Sequence, residues 1–396
     1  MSTTAETATE TVFTNARVVL HDEVVHGAVR VVDGRIADVS ESVVATGVDL
    51  EGDFLMPGVV EVHTDQVEAH FQPRPQRFWD PIPAVIAHDA QMAASGTTTV
   101  LDALRIGTGP TDGNDMAKNA RTLIDAVVHA AESGLLRADH FVHLRCEVST
   151  PDVVDVFDAV GAHERVRMVS LMDHTPGQRQ YADVEAFRTY MVGKGRLSHE
   201  QFDAHVAELH RLSARYADAH RRQMAERAAA RGITMAAHDD ATQAHVDEGV
   251  ALGVGISEFP TTLDAARAAR AAGQLVVMGA PNIVRGGSHS GNVAAVDLLA
   301  QGLLDILSSD YVPASPLQAA FLLSARGDVT LPEAARLISA NPARAVGLDD
   351  RGGIEPGRRA DLVRVHAYDE APVEHHPIGS PVPIVRGVWR EGVRVA

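Results

Sequence analysis

Short apolar or alternating runs open and close this chain, and between them strand-like runs take turns with long amphipathic stretches. Near the start, Thr11–Leu20 is rich in β-formers, Val24–Val32 alternates or runs apolar, and Asp33-Gly34 is a hairpin signal ahead of Arg35–Val39. Near the end, Ala360–His366 and Ile384–Val395 read the same way, with turns at Glu355-Pro-Gly357 and Glu391-Gly392. Each terminal group is too short to make a stable sheet by itself. The economical reading is one small composite β-sandwich domain, residues 1–55 plus 347–396, with the rest of the chain inserted into it.

The middle, residues 56–346, carries the pattern of βα units around a parallel sheet. Eight strands are expected: Val59–Thr64, Thr97–Ala103, Phe141–Cys146, Val166–Met172, Ile233–Ala237, Val254–Glu258, Leu275–Met278 and Asp305–Ser308. Eight is the number a closed (β/α)8 TIM-like barrel needs, so the fold class is α/β. A barrel takes roughly 250 residues, and 396 residues hold one with a small appendage. Between the fourth and fifth strands lies a helical insertion at about 181–232, rich in Arg and His. Its length suits a lid or a contact in a homo-oligomer better than plain packing.

Composition narrows the partners. Apolar residues make up 45% of the chain, enough for a large core, and the net charge is −18. Such a balance argues against nucleic acid and against an anionic membrane surface. A polyanionic substrate would have to be held by a local cluster of Arg, amides and metal. Cys146 is the one cysteine, so no internal disulfide forms, which suits a reducing cytoplasm. Met1–Thr11 has neither a basic nor an apolar segment of a signal peptide, and no apolar run approaches the ~20 residues of a membrane span. A cytoplasmic protein is the expectation.

Chemistry in such a barrel belongs at the C-terminal ends of the strands. Six of the eight expected strands end in acids or histidines: His63-Thr64-Asp65, Glu147, Asp173-His174, His238-Asp239-Asp240, Glu258 and Asp310. One such residue most often caps or packs; the same placement on six strands does not follow from chance. His63 and Asp65, two apart on a strand, share a face and could reach one ion. The candidate metal ligands are His63, Asp65, Glu147, His174, His238, Glu258 and Asp310. They suit a divalent metal, two ions being expected, zinc first and manganese or iron next. A carboxylate bridging two ions would lower the pKa of water between them. After the seventh strand, Arg285-Gly-Gly-Ser-His-Ser-Gly291 offers a guanidinium, backbone amides, Ser288 and His289 to an anion. His70, Arg74, Arg145 and Arg179 are weaker anion-binding candidates.

At these residues the chain resembles the amidohydrolase superfamily. The resemblance rests on Leu55-Met-Pro-Gly-Val-Val-Glu-Val-His63, Gly96-Thr-Thr-Thr-Val100, Asn341-Pro-Ala343 and Gly357-Arg-Arg-Ala-Asp361-Leu. Other segments resemble the PhnM family of α-D-ribose 1-methylphosphonate 5-triphosphate diphosphatases. Among them are His70-Phe-Gln-Pro-Arg-Pro75, Ala87-His-Asp-Ala-Gln91, Met172-Asp-His-Thr-Pro-Gly-Gln-Arg-Gln180 and Ser308-Ser-Asp-Tyr311. The resemblance implies hydrolysis of that small polyphosphate sugar to pyrophosphate and the 5-phosphate, in the carbon–phosphorus lyase pathway. For that step Asp310, at the end of the eighth strand, would bind one metal and accept the proton of the attacking water. Asp65 and Glu258 stand where the superfamily usually has histidines, which counts against deamination. The alternatives are an adenine deaminase, an N-acetylhexosamine-phosphate deacetylase or, less readily, a scaffold that has lost its ligands.

Overall fold

A computed structural model describes residues 9–75, 77–108, 116–181, 183–193, 198–288, 291–368 and 381–396. Eight parallel strands follow one another in chain order around a barrel: β1 (Val59–Thr64), β2 (Thr97–Ile106), β3 (Asp139–Glu147), β4 (Val166–Met172), β5 (Thr234–His238), β6 (Ile256–Glu258), β7 (Leu275–Gly279) and β8 (Ile306–Ser308). All eight expected strands are present. β2 continues past Ala103 to Ile106, and β6 starts later than its apolar run. Thr64 and Asp310 close the ring in a parallel bridge. Beneath that seam the buried Glu61 carboxylate accepts from the backbone N–H groups of His63 and Ser309, each at 2.7 Å. Burial pushes this acid up to about 8.

Alternation along each strand sorts residues between two layers. On β3, Val142, Leu144 and Cys146 pack outward against helices, while His143, Arg145 and Glu147 face the barrel interior. Cys146 is fully buried, and burial pushes its thiol well up, so it is a core residue rather than a reactive one. The interior below the site is filled by Val62, Leu101, Phe141, Met168, Ile256 and Val277.

The insertion is helical, as its composition suggested. A helix spans Val184–Gly193, and a second of 32 residues spans His199–Ala230. The second starts at a capping box: the Ser198 hydroxyl accepts from the Gln201 N–H, and the Gln201 side chain accepts from the Ser198 N–H. Its far end buries Met224, Ala225 and Ala228 against the barrel wall. Its first turns pack Phe202 against Phe187 and Met191, which places them over the mouth.

Strands from both chain ends share one eight-stranded sheet, joined where Phe54–Pro57 runs antiparallel to Leu362–Tyr368. Phe13, Val18, Val31, Leu55, Leu362 and Trp389 form its core. The turn at Glu391 and Gly392 has both residues in the left-handed region, as its sequence signalled. Gly58 links this sheet to the barrel. Its N–H donates to the Asp361 carbonyl at 2.8 Å, and a Cβ there would collide with the Thr98 side chain. That contact explains the Met-Pro-Gly sequence ahead of β1. No described helix is long and apolar enough to cross a membrane.

Candidate active site

The chain turns sharply at the C-terminal ends of the strands. Asp239 after β5, Phe259 after β6 and Asp310 after β8 have φ of 58°, 55° and 53°. Left-handed backbone is disfavoured for residues bearing a Cβ and persists where the surroundings over-determine it. Here each N–H is captured by a neighbouring strand: Asp239 donates to the Glu258 carbonyl at 2.9 Å and Phe259 to the Val277 carbonyl at 2.9 Å.

Four of the seven expected ligands, His63, Glu147, His238 and Glu258, are buried, the other three are half-buried, and most gather in two linked groups. In the first, His63 Nδ1 lies 2.8 Å from Glu258 Oε1. Burial alone would raise the Glu258 carboxyl, but His63, His143 and His238 outweigh it and hold it well below the usual range. In the second, Glu147 accepts from the His174 N–H at 3.0 Å, and its Oε2 lies 2.5 Å from His174 Nδ1. Burial opposes its charge, but His174 and Arg105 hold it down to about 2. His238 stands between the groups, with Nε2 4.0 Å from Glu258 Oε2 and Nδ1 2.7 Å from Asp239 Oδ2. Asp65 lies 3.4 Å from the Arg145 guanidinium. Burial, then the Asp65 charge, raises the Asp310 carboxyl.

This arrangement can hold divalent metal. His238 Nε2 is buried and has no hydrogen-bond partner among the described residues. His174, His238 and Asp239 bring one donor atom each within 4.8 Å of one another, and so do His63, His143 and Glu258. The donors are imidazole nitrogen and carboxylate oxygen, the set that transition-metal dications take. His143 itself is a structural member, since the Val62 carbonyl and the Ser170 hydroxyl engage its two nitrogens at 2.9 and 2.5 Å.

Above the ligands the mouth opens into a cleft with two arms. One, of about 680 Å³, is lined by Asn282, Arg285, Gly287, Ser288, Asn292 and Tyr311 among others. The other, of about 340 Å³, runs under the insertion past Arg105, Glu147, Tyr181, Phe187, His205 and Leu212. Asp65, Arg145, Gln180 and His238 line both, so the arms meet at the candidate ligands.

The anion-binding candidates separate. Arg285 and Ser288 line the first arm, with Arg285 Nη1 3.4 Å from the Tyr311 hydroxyl. His289 lies outside the described residues. His70 Nε2 pairs with Gln91 at 2.8 Å, Arg74 bridges to Arg77, and neither lines an arm. Arg179 is buried, ion-paired with Asp240 and with Glu248, and donates to the His238 carbonyl. It supports the β5 end rather than facing the cleft.

Two site residues are absent from the expected ligand and anion-binding sets. Arg105 belongs to β2, whose expected end fell short of it. Asp239 follows His238 directly, so strict alternation would turn it away from the face His238 uses; the left-handed turn returns it.

Residues 162–396 match the model of the amidohydrolase family. Over 389 residues the chain is 46% identical to an α-D-ribose 1-methylphosphonate 5-triphosphate diphosphatase of Escherichia coli (strain K12), covering 97% of this chain and 100% of that protein. Among solved structures, a dihydropyrimidinase from Brevibacillus agri aligns with a TM-score of 0.64 at 13% identity, covering 98% of this chain and 95% of that one. A 5-methylcytosine deaminase from Klebsiella pneumoniae aligns with a TM-score of 0.59 at 14% identity, covering 97% and 98%. At such identities the two structures speak for the fold.

Proposed function

The chain belongs to the amidohydrolase family, and on that premise we propose that it hydrolyses α-D-ribose 1-methylphosphonate 5-triphosphate to the 5-phosphate and pyrophosphate. One observation carries this reading: the 46% identity to a diphosphatase of that substrate extends over the whole of the relative. The oxygen-rich strand ends support it. Asp65 and Glu258 add carboxylates where a C–N hydrolase of this family would use imidazoles, and oxygen donors suit phosphoryl chemistry.

We place the metal on His63, Asp65, Glu147, His174, His238, Glu258 and Asp310, with two ions in view, zinc before manganese or iron. When bound, the metal supplies a Lewis acid for phosphoryl oxygens and lowers the pKa of water. Asp310 Oδ accepts the proton of the attacking water and orients its lone pair toward the α-phosphorus. The bond from that phosphorus to the bridging oxygen breaks, and pyrophosphate leaves into the Arg285 arm. There Arg285, Ser288 and the turning backbone at Gly287 hold it. Arg145, at the junction of the arms, sets a cation beside the oxygens that gain charge. A lone buried cysteine suits a reducing compartment, and we place the enzyme in the cytoplasm.

The test is hydrolysis of ribose 1-methylphosphonate 5-triphosphate by metal-loaded protein, with products assigned by phosphorus NMR. Pyrophosphate and the 5-phosphate are expected in equal amounts. Orthophosphate as the first product, or turnover confined to purine bases or N-acetyl sugar phosphates, would overturn the reading.

A further inference from the structure

The two arms of the cleft are both largely polar but are walled by different segments. The Arg285 arm is walled largely by polar side chains and glycine backbone, the surroundings a polyphosphate needs. The arm under the insertion has an apolar wall, made by the buried Phe187, Met191 and Leu212 with the half-buried Leu209. Arg105, at the end of β2, lines this arm and not the other. Its side chain is one-fifth exposed (20%), and its Nη2 lies 3.4 Å from Glu147 Oε2, so the cation sits beside the candidate ligands. Arg105, set apart from the Arg145 that both arms share and facing an apolar wall, fits a small anionic group that carries an apolar substituent on a carbon-rich ring.

We propose that the arm under the insertion is the specificity site for the sugar end of the substrate. Arg105 pairs with the phosphonate anion at C1, and the insertion wall seats the methyl group and the ribose carbons. The assignment rests on the diphosphatase reading. With the α-phosphorus at the junction, pyrophosphate departs along one direction and the retained sugar oxygen keeps another, so two arms diverging from that point separate them. The insertion thereby gains a purpose that a plain barrel lacks: it distinguishes a ribosyl methylphosphonate from other triphosphates.

Metal-loaded Arg105→Gln and Arg105→Lys enzymes are compared with the parent on ribose 1-methylphosphonate 5-triphosphate and on ribose 5-triphosphate, which lacks the phosphonate. Binding of the product, ribose 1-methylphosphonate 5-phosphate, is measured by calorimetry, and metal content by elemental analysis. Arg105→Gln should raise KM for the full substrate and Kd for the product by roughly 10- to 100-fold, the worth of a charge-assisted contact. Lysine should recover part of the loss, and the parent's preference for the full substrate should collapse in the glutamine variant. Leu209→Glu, which sets a like charge in the wall, should act in the same direction. Metal content should not change. An equal loss on both triphosphates, or a loss of metal, would show that Arg105 serves Glu147 and would overturn the proposal. A parent that hydrolyses neither triphosphate fails the diphosphatase reading instead, and product binding then decides the arm's role by itself.

Discussion

The backbone N–H of Asp310 donates to the carbonyl of His63 at 3.0 Å. The residue that closes the barrel is thus tied to the first candidate ligand, and the site forms only when the first and last strands have met. Asp310 holds this place through its main chain, which leaves its carboxylate available for chemistry.

That separation makes Asp310→Asn a clean probe. The isosteric amide keeps the backbone bond but cannot take a proton from water. Turnover should fall by ~100-fold or more, with an unchanged thermal midpoint. Turnover near the parent's would reduce Asp310 to a cap on the turn that follows β8.

Metal removal should abolish hydrolysis. Purified protein should carry about one to two divalent ions per chain by elemental analysis, the number the two ligand groups can take. Dialysis against chelator should also lower the thermal midpoint, because the carboxylates gathered at the mouth lose their counter-charge. Full activity in metal-free protein would contradict the assignment of these residues as ligands.

Arg285 is exposed, so its charge is screened by solvent and its contribution is at the low end for a guanidinium–phosphate pair. Arg285→Ala should lower kcat/KM by about 10-fold, chiefly through KM if the contact is equal in ground and transition states. The loss should shrink on a diphosphate substrate. Equal losses on triphosphate and diphosphate would remove this loop from pyrophosphate binding.

Stability should depend on pH through His140, behind the barrel wall. Its Nδ1 lies 2.8 Å from Asp102 and its Nε2 3.3 Å from Asp89. Burial opposes its charge, yet the two carboxylates outweigh it and hold the imidazole up to about 9. His88, on the other Asp102 oxygen, is depressed by burial, Arg137 pairs with Asp89, and Arg165 binds the His140 carbonyl. A folded value above the unfolded one of about 6.5 means stability that is complete below the lower value and lost as pH rises through the upper. Thermal melts should therefore decline across that window, and Asp102→Asn, which removes the main partner, should flatten the decline. A flat parental profile would show that the imidazole is neutral.

The barrel is legible in the sequence because strands buried on both faces read as apolar runs. The candidate ligands stand out because polar residues break those runs at the same end of six strands. What stays hidden depends on pairings that no local pattern announces. Arg179 reads as a phosphate contact from its place after His174, yet Asp240 and Glu248, brought in from β5 and the helix behind it, neutralise it. Asp239 is visible at its strand end, but its approach to His238 depends on a backbone turn that breaks the two-residue period. The two arms are invisible for a different reason: the wall of one comes from the insertion and its floor from β2 and β3, segments that only the closed barrel brings together.

The shared terminal sheet sets a condition on how the protein is made. Arg364, on the strand Leu362–Tyr368, reaches back to Asp53, 311 residues earlier. On the ribosome, the first strands emerge and wait with an unpaired edge until the last part of the chain follows. At the usual pace of synthesis that delay is on the order of half a minute. An open edge held for that long pairs readily with other nascent chains. Recovery of active enzyme should therefore track chaperone capacity and growth temperature, and a transcript stopped before Leu362 should give an aggregating product even though it encodes every barrel strand.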